Sequence, residues 1–182
     1  IHSHSRSEDE LQRFAAAYAP RPRVCLGVPI AGLPAVVAEN DSGMYAAVAH
    51  LIEVHGHRRI AVVSGPLGTP DYQARVNGYR RALIEHGLEP DPALEVFLER
   101  PARELAPAAI AELLDRRRTT VQRLDAVVFT DDDLAIACFG ELTRRGVRVP
   151  RDLALVGFSD VESARYTPSP LTTVRQPIAE AA

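Results

Sequence analysis

Between Arg59 and Phe158 the chain alternates short apolar runs with longer segments of helical spacing, and few folds can be built on that order. Arg59-Ile-Ala-Val-Val-Ser64 is apolar without a break, which suits a strand buried on both faces of a parallel sheet. Leu94 to Leu98, Asp125 to Thr130 and Leu153 to Phe158 repeat it, and Arg23 to Val28 and Ala35 to Ala38 precede it as two further predicted strands. Helices are predicted from a Ser7/Glu10 capping box with Leu11, Phe14, Ala15 and Tyr18 on one face, and from an Asp41-Ser42 cap with Met44, Ala47, Val48, Leu51 and Ile52 inward. Others follow over 71–86, 105–118 and 134–145. Parallel strands need crossovers, which run right-handed, so the fold class is α/β: a doubly wound parallel sheet covered by helices on both faces. Such sheets bind ligands outside the carboxyl ends of their strands. The loops to watch therefore start at Val28, Ser64, Leu98, Thr130 and Phe158.

Composition narrows the chemistry. The chain has 182 residues, 46% of them hydrophobic and 25% charged, enough for one large domain or two small lobes. A net charge of −3 gives no overall attraction to phosphate, so the chain as a whole is not expected to bind nucleic acid or a membrane surface. All 21 basic residues are Arg. That removes a Walker-type phosphate loop, a Schiff-base lysine and a lysine general base. Cys25 and Cys138 lie far apart in apolar segments and read as reduced core thiols of a cytoplasmic protein. No apolar run approaches the ~18 residues of a membrane span, and no secretory signal opens the chain. The start at Ile1 without Met, and an ending just after a helix-like opening at Pro177, read as cuts from a longer protein.

The loops also carry text. His55-Gly-His-Arg-Arg-Ile-Ala-Val-Val-Ser-Gly-Pro66 is followed by Arg75-Val-Asn-Gly-Tyr79 with Ala82-Leu83, and by Asp125-Ala-Val-Val-Phe-Thr-Asp-Asp132. Then come Gly146-Val-Arg-Val-Pro150, Val156-Gly-Phe-Ser-Asp160 and Leu171-Thr-Thr-Val-Arg-Gln176. In order and spacing these resemble the effector-binding core of the lactose/galactose repressor (LacI/GalR) family, over essentially the whole chain. The resemblance implies a two-lobed, periplasmic-binding-protein-like fold with an incomplete N-terminal lobe. Residues 1–40 would be the end of that lobe, 41–160 the C-terminal lobe, and 161–182 a hinge crossover back to the first. It implies a ligand-sensing core of a bacterial transcriptional regulator: a sugar-like effector, a homodimer, no cofactor, no catalysis, and operator DNA read only by a helix-turn-helix outside this chain. A rival reading comes from Ser42-Gly43-Met44, His55-Gly-His57 and the ending Leu171 to Pro177, which also look like sensor modules of nucleotide cyclases or kinases.

Five residues become ligand candidates. Arg75 matches the family's effector-contacting arginine, and its fork of donors suits vicinal hydroxyls or a carboxylate near a helix N-terminus. Asp71, one turn earlier, either shares the pocket or only caps the helix. In Asp131-Asp132-Asp133 the family pattern is commonly Asn-Asp, so Asp131 puts an acceptor-only carboxylate where an amide is usual. Asp131 is read as a pocket residue, and Asp132 and Asp133 as caps of the next helix. A Mg²⁺ site in that triplet would serve phosphoryl chemistry, but no Lys is present to neutralise a phosphate. Asp160 and Gln176 follow as ligand or hinge contacts. His50, His55 and His57 scatter around a helix end, so no metal site is expected, and Arg116-Arg-Arg118 complements a helix dipole.

Overall fold

The computed structural model describes residues 8–19, 21–27, 30–100, 103–119 and 123–177. In chain order these form α1 (Glu8–Ala17), β1 (Cys25–Leu26), β2 (Ala35–Val36), α2 (Asn40–Glu53), β3 (Ile60–Ser64), α3 (Pro70–Glu85) and β4 (Glu95–Phe97). The chain continues through α4 (Ala106–Thr119), β5 (Ala126–Phe129), α5 (Asp132–Arg144), β6 (Ala154–Ser159) and β7 (Thr172–Arg175). Short 3₁₀ turns precede β4 and α4 and follow β6. Ser7 and Val28 lie outside the described residues. No helix among the described residues is long and apolar enough to cross a membrane.

β3 to β7 build one five-stranded sheet in the order β4-β3-β5-β6-β7, with every neighbouring pair parallel. Side chains alternate across a strand, and here both faces are apolar, as the unbroken runs require. Ile60 and Val62 of β3, Ala126 and Val128 of β5, and Val156 and Phe158 of β6 face Met44, Val48, Leu51, Val76 and Tyr79 of α2 and α3. Ala61, Val63, Val127, Phe129 and Leu155 point the other way, onto Ile110 and Leu113 of α4 and Ala135, Cys138 and Leu142 of α5. The doubly wound parallel architecture is thus written in the alternation. Both cysteines are buried free thiols, and burial pushes the Cys138 thiol up to about 12.

The chain forms two compact units, one of residues 1–39 with 177–182, the other of Asn40–Gln176. In the smaller unit β1 runs parallel to β2. The larger unit holds the five-stranded sheet. Its end departs from the boundary at residue 160 expected from sequence, because β7 adds to the sheet edge through the register Val156–Thr172 to Ser159–Arg175. Within it α2 and α3 cross in close contact at Gly78, where a Cβ would lie 2.2 Å from the Asp41 carbonyl oxygen.

Candidate functional site

The carboxyl ends of β3, β5 and β6 meet around one buried arginine. Arg75, on α3, is 4% exposed. Its Nε donates to Asn40 Oδ1 at 2.8 Å, its Nη1 donates to the Thr130 carbonyl at 2.6 Å, and its guanidinium lies 4.0 Å from the centre of the Phe158 ring. Asn40 Nδ2 in turn donates to Asp71 Oδ1 at 3.0 Å. The set runs from a carboxylate through an amide to a guanidinium and a strand-end carbonyl. Burial lowers the Arg75 pKa, and Asp71 and then Asp131 oppose that, so the charge is held in a nearly dry place. An arginine there stays ionised.

One donor nitrogen of this arginine is left over. Nη2 has no acceptor among the described residues, yet no buried side-chain nitrogen or oxygen among them lacks a partner. Nη2 is therefore not fully enclosed, and it has hydrogen-bonding capacity to spare. The strand ends beneath it are tied: Gly65 N donates to Thr130 Oγ1, which donates to Ser64 Oγ at 3.2 Å. Gly65 is needed because Tyr72 lies over it, where a Cβ would meet the ring at 2.2 Å. Tyr72 stands 5.9 Å from the Arg75 guanidinium, and burial, ahead of Asp131, raises its pKa.

Asp131 sits beside this arginine and does two things. Its Oδ1 accepts from Asp133 N at 2.9 Å as the N-cap of α5, and it lines an open cavity of about 270 Å³ with Tyr72, Arg100, Arg103, Glu104, Asp133 and Leu134. Burial is the first cause raising its pKa. The expected roles of its neighbours change accordingly. The cap is Asp131, one residue earlier than the reading that gave it to Asp132 and Asp133, because α5 begins at Asp132.

Asp132 is fully buried and works as a cross-link. Its Oδ1 accepts from Thr173 Oγ1 at 2.6 Å and its Oδ2 from Val161 N at 2.9 Å, joining α5, the segment after β6, and β7. Gly157 makes room for it, since a Cβ there would stand 2.0 Å from Asp132 Oδ1. The same link holds a strained corner: Ser159 (φ 126°) and Asp160 (φ 56°) both adopt positive φ without being glycine, and Asp160 N donates to Thr173 Oγ1 at 3.3 Å.

Of the five sequence candidates, the structure brings Asp71, Arg75 and Asp131 together and sets Asp160 at the strained end of β6. Asp71 does not cap α3, whose N-cap is Thr69; it joins Arg75 through Asn40. Gln176 stands apart, one residue past β7. Asn40 and Tyr72 were not foreseen. Asn40 stands just before the Asp41-Ser42 pair, and Tyr72 falls inside the helix expected over 71–86. Among the described residues no group of three or more His, Cys, Asp or Glu side chains is placed to hold a metal.

Known proteins share this fold. The model of the periplasmic binding protein-like domain matches residues 48–182. The HTH-type transcriptional regulator CelR of Thermobifida fusca is 38% identical over 160 residues, 88% of this chain and 44% of its own length. The chain belongs to the LacI family. Among solved structures, a LacI-family regulator from Burkhoderia phymatum superposes with a TM-score of 0.85 at 28% identity, covering 98% of this chain and 62% of that one. A CelR–cellobiose complex superposes at 0.75 and 30% identity, covering 93% and 58%. This LacI-family chain spans about half the length of the curated relatives it matches. Those relatives are regulators of transcription, which favours that reading over a cyclase or kinase sensor.

Proposed function

We propose that this chain is the ligand-sensing part of a LacI-family transcriptional regulator, and that a small polyhydroxylated effector binds at the Arg75 end of β3, β5 and β6. The observation that carries the site is the buried Arg75 guanidinium, whose Nη2 has no acceptor among the described residues, with the Asp131 carboxylate near it at adjacent strand ends. A donor held rigid by Asn40, Thr130 and Phe158 suits a hydroxyl oxygen. Asp131 offers an acceptor for a hydroxyl hydrogen, and Asp160 a second one from the strained corner. Asn40, itself bonded to Asp71, already engages the Nε side of the guanidinium, and the nearby Asp71 and Asp131 carboxylates favour a neutral ligand over an anion. That CelR has been solved with cellobiose supports a saccharide.

In this reading the effector binds two conformations of the regulator unequally and shifts their populations, changing the geometry of a homodimer and hence of DNA-reading domains outside this chain. A largely apolar groove lined by Phe139, Leu142, Val147, Val149 and Pro168, among others, offers a surface for the second copy. The work is done in the cytoplasm, where operator DNA lies, and it includes no catalytic step. Gln176, just past β7, is a hinge contact.

Titration calorimetry of the chain with cellobiose, glucose, galactose, ribose and hypoxanthine tests the ligand class. One saccharide binding at a single site is expected. Binding of hypoxanthine alone would overturn the saccharide reading in favour of a purine.

A further inference from the structure

The three clustered histidines lie at the opposite end of β3 from Arg75, and the effector reading does not use them. α2 ends in a tight reversal: Gly56 takes a positive φ of 68°, its N donates to the Ile52 carbonyl and His57 N donates to the Leu51 carbonyl, each at 3.0 Å. His55 lies in the turn just before that reversal, little more than one helical turn beyond His50. Spacing alone suggested that the rings scatter; instead His50 Nε2 and His55 Nε2 stand 3.2 Å apart, with ring centroids 4.9 Å apart and planes at 80°. The His57 ring stacks against His55 at 5.7 Å between centroids.

We propose that His50 and His55 form a binding site for one borderline divalent transition-metal ion of the Zn²⁺ type. Neutral imidazole nitrogen is a preferred donor for such ions and a poor one for Mg²⁺ or Ca²⁺, which seek oxygen. The separation fits. Two zinc–nitrogen bonds of about 2.05 Å spanning the 3.2 Å between the nitrogens enclose an angle of about 103°, close to tetrahedral. No third protein ligand is placed to join them among the described residues, so water fills the remaining positions and the site stays open. Both imidazoles are exposed, so an ion reaches them without local unfolding. The bound ion would pin the turn that leads from α2 into β3.

The test uses the tag-free chain titrated with ZnCl₂, with MgCl₂ as the oxygen-seeking control, read by calorimetry and by thermal unfolding. One Zn²⁺ per chain and a melting temperature that rises with Zn²⁺ but not with Mg²⁺ are expected. Loss of an outer-shell partner alone costs about 10–100-fold in metal affinity, so His50→Ala and His55→Ala should each lose at least that much, together with the melting shift. Both side chains are exposed, so both variants keep the fold. Absence of Zn²⁺ binding at millimolar concentration, or binding that survives in the His50→Ala/His55→Ala double variant, would overturn the proposal.

Discussion

Asp132 shows how much a single side chain can be asked to do in this protein. Its carboxylate is buried, and both oxygens accept hydrogen bonds from different elements. Asp132→Asn turns one of those oxygens into a donor, so either Thr173 Oγ1 or Val161 N loses its acceptor, at about 1–3 kcal/mol. Burial is the first cause raising the pKa of Asp132, against hydrogen bonds from Thr173, Val161 and Asp160 that lower it. The folded chain therefore holds this proton more readily than the unfolded one, and the residue's contribution to stability grows as pH falls from neutrality through the raised pKa, levelling off below the ordinary carboxylate value. Asn does not titrate. The melting-temperature gap between the native chain and Asp132→Asn should thus widen as pH falls from neutrality toward the ordinary carboxylate range; a gap that closes on acidification would mean that the hydrogen bonds outweigh burial. Residue roles were the least legible part of the sequence. Which of three consecutive aspartates caps α5 depends on a one-residue helix boundary that patterns do not fix. Asn40 was invisible because its partners, Asp71 and Arg75, lie 31 and 35 positions away.

At the scale of elements, the contact between α2 and α3 is the most exacting. Gly78→Ala would drive a Cβ to 2.2 Å from the backbone oxygen of Asp41, so the two helices must separate. Overpacking of this kind costs about 1–3 kcal/mol, and the denaturant midpoint should fall accordingly. Gly140→Ala is the matched comparison. Gly140 lies in the exposed face of α5 with nothing within 4 Å of its would-be Cβ, and replacing glycine in a helix stabilises by about 0.4–1 kcal/mol. Equal effects at the two positions would remove the close crossing. The elements themselves were legible: β3, β5, β6, α3 and α5 lie within two residues of where apolar runs and helical spacing put them, because both sheet faces are buried and leave the alternation no freedom. β7 was read only as a crossover because Leu171-Thr-Thr-Val174 is an edge segment, with Thr172 exposed, and carries no unbroken apolar run.

At the scale of the molecule, the fold class followed from the order of elements, whereas the extent of the larger unit did not. Its last strand pairs with β6 across an intervening 3₁₀ turn, a long-range contact that local patterning does not encode. Function became legible through six ordered motifs rather than through any single residue. The proposed effector site is assembled from α2, α3, β5 and β6, and in that reading Arg75 presents one fixed donor to the effector. Arg75→Lys tests that most directly, because it keeps the charge and much of the length while removing the planar fork. Measured by calorimetry with the saccharide that binds the native chain, affinity should fall about five- to over a hundredfold, the equivalent of ~1–3 kcal/mol for a stranded polar partner, with the fold retained by circular dichroism. Unchanged affinity in a folded Arg75→Lys chain would take the arginine out of the site and contradict the account.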